Sequence, residues 1–297
     1  MPAWRSAIPL AAEMRLFLGL LLMLAAASTA AADDRFVPAA GTTLTFRLMT
    51  VTKSADRTVT VGQIYNYVIA SSDGAIAEGT IKPLALIYGC GGHETERDCA
   101  AALKAPGAKQ EGDLVTVPVP PDIADELTKL SALKFHYFII QERKIAMPGT
   151  KDPKADAGEF GHDLVFVLSV GMECDGATLK GFLPFGRTAM LTVPCKQTIS
   201  RTPGPGTPLS PFQSTHDVAM ELTDKGSGHV TVPAGDFDVR RLTLKESAST
   251  PTQTDIDGTI DFSTKLGVAV KTHSIVTPRT SQGIVVQSDS ELIAVAP

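Results

Sequence analysis

Apolar and polar residues alternate with a period of two along most of this chain, and this alternation restricts the fold more than any other feature. Leu44, Phe46 and Leu48 fall on one face of a strand, and Thr43 and Thr45 fall on the other. Because successive side chains of a strand point to opposite faces, the pattern predicts strands with one buried face. We therefore predict a mainly β protein of twisted antiparallel sheets, half-barrel or sandwich-like, with one or two short helices.

The clearest predicted hairpin joins residues 256–262 to residues 266–270. Apolar residues alternate with polar ones on both strands, and residues 263–265 provide the turn. The strand before this hairpin has an irregular pattern, because its apolar residues move from odd to even positions across Arg240 and Arg241. A slip of one residue predicts a β-bulge at this point.

Two segments have helical features. Residues 121–133 begin with proline, carry acidic residues in the first turn, and place Ile123, Leu127 and Leu130 on one face. A shorter helix is predicted at residues 95–104. The longer helix is the predicted cover for the apolar face of the C-terminal sheet.

The first 32 residues have the three parts of a cleavable signal peptide. Arg5 and Arg15 precede an apolar stretch at residues 16–27, and small residues follow as far as Ala32. That stretch is too short for a transmembrane helix, which needs about 20 apolar residues. We predict a mature chain that begins near Asp33, has no transmembrane segment, and is periplasmic or secreted.

A segment rich in proline and glycine divides the predicted mature chain. Residues 201–211 contain four prolines and two glycines, a composition typical of a linker or long loop. The predicted organisation is a signal peptide at 1–32, an N-terminal β-rich unit with a helix at 33–200, this segment, and a C-terminal β unit at 212–297. Translation starts at either Met1 or Met14.

Four cysteines in an exported chain predict two disulfides. Of the three possible pairings, Cys90 with Cys99 and Cys174 with Cys195 closes the shortest loops. The alternative for residues 90–99 is a metal loop, because thiolates, an imidazole and carboxylates lie close together there. We predict the disulfides, and neither a metal nor another cofactor.

The charge and motif content argue against several functions. The net charge is -5 and there is no basic stripe, which argues against nucleic acid as a partner. No G-x-S-x-G motif is present, and the six histidines are scattered without helical ligand spacing. The candidate acid and base residues of a hydrolase are Asp236, Asp238, Asp257 and Asp261, which lie on polar strand faces.

Residues 215–295 resemble a family of uncharacterised bacterial envelope proteins. The matching features are a Val-Thr-Val-Pro-Ala-Gly turn at residues 230–235, and a strand with an aromatic residue and a serine before the Leu266-Gly267 turn. That family is similar to the periplasmic lipoprotein carriers, so the resemblance implies an open half-barrel with an apolar interior.

The resemblance implies a non-enzymatic envelope protein that binds an apolar ligand or a partner's apolar segment. A hydrophobic small molecule, a lipid or an acylated segment would meet this description. The predicted ligand face consists of Phe237, Val239, Ile260, Phe262, Val268 and Val270. The alternatives are a hydrolase that uses carboxylates of the C-terminal sheet, and a purely structural or interaction protein.

Overall fold

The alternating segments form strands, and most of them pair with their neighbours in sequence. The structure, a computed structural model, describes residues 34–55, 57–91, 99–100, 102–150, 160–204, 210–248, 254–278 and 284–297. The predicted signal peptide at 1–32 lies outside these ranges and stays a prediction. The described elements belong to the unit Arg35–Pro297.

Fourteen strands lie in the described ranges, and all of their pairings are antiparallel. They are β1 (Thr43–Lys53), β2 (Thr58–Ser72), β3 (Ile76–Gly89), β4 (Lys109–Glu111), β5 (Leu114–Pro118), β6 (Ala132–His136), β7 (Ile139–Thr150), β8 (Phe160–Cys174), β9 (Met190–Pro203), β10 (Phe212–Val232), β11 (Gly235–Ala248), β12 (Thr254–Ser263), β13 (Val268–Pro278) and β14 (Val285–Ala296).

Twelve of these strands close into a barrel. β2 pairs with both β1 and β3, and the ring runs β1, β14, β13, β12, β11, β10, β9, β8, β7, β6, β3 and β2. β5 pairs with the second half of β3, and β4 pairs with β5, outside the ring. The predicted mainly β fold is confirmed. The sheet curves further than the predicted half-barrel and closes on itself.

The alternation of β1 sends its apolar side chains into the barrel. Leu44 and Phe46 are buried there and belong to the same core cluster as Tyr65 and Tyr67 of β2. Arg47 points outward and pairs with a glutamate of β14. Because each fully buried large apolar side chain contributes roughly 1.5–3 kcal/mol, this in-out pattern also fixes the register of the strands.

Five phenylalanines fill one end of the barrel, and we call them the aromatic plug: Phe36, Phe138, Phe182, Phe185 and Phe262. Phe138 lies in the β6–β7 turn and Phe262 in β12, on opposite sides of the ring, yet their ring centroids are 6.4 Å apart. Phe185 contacts Phe36, Phe138, Phe182 and Phe262 at 5.3–5.7 Å. Side chains that meet across the lumen in this way close that end.

A short helix carries part of the plug. The described helices are α1 (Pro121–Lys129), between β5 and β6, and α2 (Gly176–Gly181), which connects β8 to β9 and carries this part of the plug. The side chain of Asp175 caps α2 by accepting a hydrogen bond from the backbone N–H of Thr178 at 3.0 Å. Leu179 and Phe182, at the end of the helix, are buried. With only six residues, α2 has too short an apolar pattern for sequence prediction.

The predicted helix at residues 121–133 exists as α1, but its position differs from the prediction. It ends at Lys129, because residues 132–136 form β6. Its buried Ile123, Ala124 and Leu127 pack with Val119, Ala146 and Val167 against β3, β7 and β8. The expectation that this helix covers the C-terminal sheet is therefore wrong. It connects β5 to β6 and packs on β3, β7 and β8 of the N-terminal side.

Both disulfides are present in the pairing that the sequence predicts. The Cα atoms of Cys90 and Cys99 are 5.7 Å apart, and those of Cys174 and Cys195 are 4.1 Å apart. Cys174, the last residue of β8, is the register partner of Cys195 in β9. The metal alternative for residues 90–99 loses its thiolates to the first disulfide, and residues 92–98 lie outside the described ranges.

Strands from both predicted units belong to the same sheet. The first three residues of the predicted linker, 201–203, belong to β9. Residues 205–209 of that linker lie outside the described ranges. Half of the predicted helix at residues 95–104, namely residues 95–98 and 101, also lies outside the described residues. The pairing of β10 with β11 shifts between Asp224 and Ser227, opposite Arg241, where the sequence predicts a bulge. No helix in the described part of the chain combines the length and apolarity needed to cross a membrane.

Candidate ligand-binding cavity

Beside the aromatic plug, the lumen widens into a cavity of about 420 Å³. Residues of β1, β2, β6, β7, β8, β10, β11, β12, β13 and β14 line it, so the cavity lies inside the ring of strands. Its size falls within the range of roughly 300–1,000 Å³ that is usual for small-molecule sites. We call it the lumen cavity.

One wall of the lumen cavity is aromatic. Phe46 of β1 lies 6.0 Å from Tyr65 and 5.1 Å from Tyr67, measured between ring centroids. Tyr67 in turn contacts Phe135 of β6 at 6.0 Å. All four side chains are buried, and such ring pairs contribute about 0.5–1.5 kcal/mol beyond their area burial. This wall is therefore both rigid and apolar, with two phenol hydroxyls as its polar groups.

The strands β14 and β13, which follow β1 in the ring, contribute hydroxyl groups. Thr272 and Ser274 of β13 and Ser288 and Ser290 of β14 line the cavity. The Oγ atom of Ser288 lies 3.3 Å from Oγ1 of Thr50, so one of these hydroxyls already has a partner. Hydroxyl groups can donate or accept, which allows this wall to contact water or a polar ligand atom.

Arg143 of β7 brings a positive charge into the cavity. Its guanidinium carbon lies 5.0 Å from the centroid of the Tyr65 ring. The side chain is partly buried and lines the cavity, whereas its Nε and Nη2 atoms are inaccessible and have no acceptor in hydrogen-bond range. Among the described residues, no carboxylate lies within 4.0 Å of Arg143. Tyr65 is a partner of this guanidinium through its ring and a side-chain hydrogen bond, but it is neutral. A buried cation with no anion beside it is costly, so Arg143 is the residue that most favours a ligand here.

Tyr67 keeps its proton beside this arginine. Burial raises the pKa of Tyr67 far above its usual range, Arg143 partly opposes this shift, and Tyr65 adds to it. Burial by itself lowers the pKa of Arg143, but the neighbouring Tyr67 and Tyr65 hold it above its ordinary value. Arg143 is therefore charged and Tyr67 is neutral at any physiological pH.

Glu246 of β11 is the other ionisable residue of the cavity wall. It is only 7% exposed, and its Oε1 atom accepts a hydrogen bond from Nε2 of Gln197 at 3.0 Å. Burial raises the pKa of Glu246, and the bond from Gln197 opposes the shift. This carboxyl group consequently holds its proton to a higher pH than an exposed glutamate does.

The six residues predicted as a ligand face all take part in buried packing, but only two border the cavity. Ile260 and Val268 line it. Val239 and Val270 are buried in the core cluster, and Phe237 packs against that cluster. Phe262 belongs to the aromatic plug. Four of the six are thus used as core, because the barrel is closed and filled at that end.

The residues that most distinguish the cavity come from the N-terminal strands, which the sequence analysis did not single out. Tyr65 and Tyr67 share one face of β2, and Arg143 shares a face of β7 with Ile145, which packs against the core cluster. A charged residue in phase with an apolar strand face was the available signal. Its meaning depends on barrel closure, which brings β2, β7 and β12 around one space.

The carboxylates considered for a hydrolase lie outside the lumen cavity. Asp236 and Asp238 flank the exposed His229, at 3.9 and 3.2 Å from its ring nitrogens. Asp261 pairs with Arg241 at 3.4 Å, and Asp257 is exposed. The clustering in a cleft that would favour a hydrolase is not found at these positions. In the described ranges, no group of three His, Cys, Asp or Glu residues is placed to hold a metal ion.

A second, larger cleft of about 640 Å³ lies on the outside of the barrel, between the β4–β5 hairpin and strands β1, β2 and β14. Arg47 and Glu291, which line it, form an ion pair with each other. Asp289, also in this cleft, pairs with His273 at 2.6 Å. Each of these three groups has an ionisable partner, whereas no carboxylate of the described residues lies within 4.0 Å of Arg143. The lumen cavity is therefore the better candidate for a ligand site.

The chain matches no protein-family model and no curated protein. Two solved structures are similar to it. One is the hypothetical lipoprotein YmcC from Escherichia coli K12, with 7% identity, a TM-score of 0.39, and coverage of 99% of this chain and 100% of that one. The other is a putative lipoprotein from Parabacteroides distasonis, with 12% identity, a TM-score of 0.29, and coverage of 89% and 99%. At TM-scores below 0.5, neither protein supports a conclusion about the function of this chain.

Proposed function

We propose that this chain is an exported envelope protein that binds an apolar small molecule inside its barrel. The observation that carries the proposal is the lumen cavity of about 420 Å³, lined mostly by aromatic and aliphatic side chains from strands all around the ring. Protein interiors are normally packed to crystal-like density, so a space of this size in a folded core favours binding over simple packing.

The compartment we propose is the periplasm or the extracellular space. Two disulfides fit an oxidising compartment. The signal peptide predicted at residues 1–32 supplies the route. The resemblance to envelope proteins related to lipoprotein carriers agrees with both, and it favours a lipid-like ligand.

A small molecule fits this cavity better than a segment of a partner protein. Among the described residues, each strand of the ring pairs with a neighbour on both sides, which disfavours the addition of a partner's strand to the wall. The aromatic plug closes one end of the lumen, which makes the space a pocket instead of a channel. A molecule with an extended apolar part would fill it.

The test fills the cavity with a side chain. Ile260 lines the cavity on β12, whereas Ile275 on the neighbouring β13 is 38% exposed. Exported protein, delipidated under mild conditions, should gain melting temperature with 1-decanol, because a ligand that binds only the folded state stabilises it. Ile275→Trp should behave as wild type, and Ile260→Trp should lose the shift.

Two results would contradict the proposal. One is the absence of any shift with 1-decanol or longer alcohols in the wild-type protein. The other is an equal shift in the wild type and in a folded Ile260→Trp variant, since this would place the alcohol elsewhere. Either result would favour the alternative of a purely structural or interaction protein.

A further inference from the structure

We propose that the ligand is an alkyl carboxylate whose head group is bound by Arg143. This inference rests on the proposed function, because it names the class of molecule that occupies the lumen cavity. It follows from the charges and hydrogen-bonding groups of the cavity wall and from its size.

The charges of the cavity wall favour an anion. The cavity wall contains one basic residue, Arg143, and one acidic residue, Glu246. Glu246 has a partner in Gln197, whereas two of the three guanidinium nitrogens of Arg143 have no acceptor. A positive charge in an apolar space is stabilised by an anion brought from outside. The wall therefore favours an anionic ligand over a neutral or cationic one.

The groups around Arg143 hold its guanidinium in place for a carboxylate. The ring of Tyr65 supports the guanidinium from one side, and Tyr67 contacts Tyr65 with ring centroids 5.1 Å apart. Packing of this kind fixes a long side chain before the ligand arrives, which lowers the entropy cost of binding. Planar guanidinium groups match carboxylates in geometry. A phosphate, which carries close to two charges, would meet a single arginine in this wall.

The volume of the lumen cavity limits the length of the ligand. A cavity of about 420 Å³ holds roughly 14 water-sized groups at about 30 Å³ each. This volume corresponds to a carboxylate on a chain of about ten to twelve carbons. The tail would lie among Leu48, Leu244 and Ile260, which line the same space. Phospholipids with two full-length chains are too large for it.

The experiment compares three probes of equal chain length by isothermal titration calorimetry: decanoate, 1-decanol and decyltrimethylammonium. We expect wild-type protein to bind decanoate roughly 10- to 100-fold more tightly than 1-decanol, the range of a hydrogen-bonded charge. Arg143→Gln should reduce this preference to about twofold, because the affinity for decanoate falls much more than the affinity for 1-decanol. Arg47→Gln, which removes an outward-facing arginine, is the matched control and should behave as wild type.

A second measurement needs no variant and covers the case in which Arg143→Gln fails to fold. The pKa of the [1-13C]decanoate carboxyl group can be read by NMR in the complex with wild-type protein. Binding beside Arg143 lowers this pKa relative to decanoate in water, whereas binding in an apolar space without a cation raises it. A lowered pKa supports the inference and a raised one overturns it.

The outcomes separate the two proposals. If decanoate and decanol bind equally and Arg143→Gln changes neither affinity, the carboxylate inference is wrong and the apolar binding function stands. If decyltrimethylammonium binds best, the inference is wrong in the same way. If none of the three probes binds, the proposed function fails and the inference fails with it.

Discussion

The aromatic plug and the lumen cavity occupy the same barrel, but they are built on different principles. In the plug, phenylalanines from distant strand ends meet at 5.3–6.4 Å, and Phe182 and Phe262 are 0% and 1% exposed. In the cavity, rings, hydroxyl groups and an arginine line a space that side chains do not fill. A chain that needed only stability would pack the whole lumen as it packs the plug. The difference identifies the plug as structural and the cavity as the place for a ligand.

Loss of a plug residue should have the largest effect on stability. Phe182→Ala removes a fully buried ring that contacts Phe138 and Phe185, and should reduce the free energy of unfolding by about 3–5 kcal/mol. Leu48→Ala, on the cavity wall, should cost less than half as much, because its side chain already borders free space. Urea denaturation followed by far-UV circular dichroism measures both. Equal losses would remove the distinction between plug and cavity.

The disulfide beside the plug should come next. Cys174 and Cys195 close a loop with a sequence separation of 21 that contains α2. Replacing both with alanine should cost about 3 kcal/mol in the chain-entropy model. The Cys90–Cys99 pair, with a separation of 9, should cost slightly less and should leave decanol binding unchanged. Loss of decanol binding on removal of Cys90–Cys99 alone would place the site outside the lumen.

A cavity-wall acid should give a smaller, pH-dependent effect. The pKa of Glu246 is raised in the folded state, so its contribution to stability is present below its unfolded pKa and is lost as pH rises through its folded pKa. Glu246→Gln should therefore be more stable than wild type at pH 7 and close to it at pH 4. Thermal melts across this pH range test the sign. Greater stability of the wild type at pH 7 would mean that the ionised carboxylate is stabilised in the fold.

An outward-facing pair should have the smallest effect. Arg47 and Glu291 form an ion pair with side chains 44% and 25% exposed. Exposed pairs contribute at most about 1 kcal/mol, so Arg47→Ala should change the free energy of unfolding by no more than that. Urea denaturation at low and high salt checks it. A loss as large as that of Phe182→Ala would show that the outside of the barrel is as important to stability as its lumen.

Much of the local structure was accessible from the alternation of residues, whereas closure was not. The hairpin of β12 and β13 and the strand face of Leu44 and Phe46 follow from a period-two pattern, which is a local property. Closure depends on the pairing of β1 with β14, in which Arg47 is the partner of Glu291, 244 positions away. Local patterns contain no information on which distant strand edge is the partner.

The cavity was harder to predict than the strands, for the same reason. Ile260 and Val268 were identified because they alternate with polar neighbours, but whether an inward side chain is core or cavity wall depends on what faces it across the barrel. The role of Arg143 in the cavity wall depends on the closed ring, which brings β7 close to Tyr65 of β2. The predicted position of α1 was wrong for a related reason. A helix that joins β5 to β6 packs on the strands near that connection, which are β3, β7 and β8.

The most direct test of the account is a crystal structure of the mature protein with 10-bromodecanoic acid, whose bromine is located by anomalous scattering. We expect a bromine peak inside the ring of strands near Leu244 and Ile260, with the carboxylate density next to Arg143. A lumen filled by protein side chains, or a bromine peak only on the outer surface, would contradict the claim that this barrel binds an amphipathic ligand.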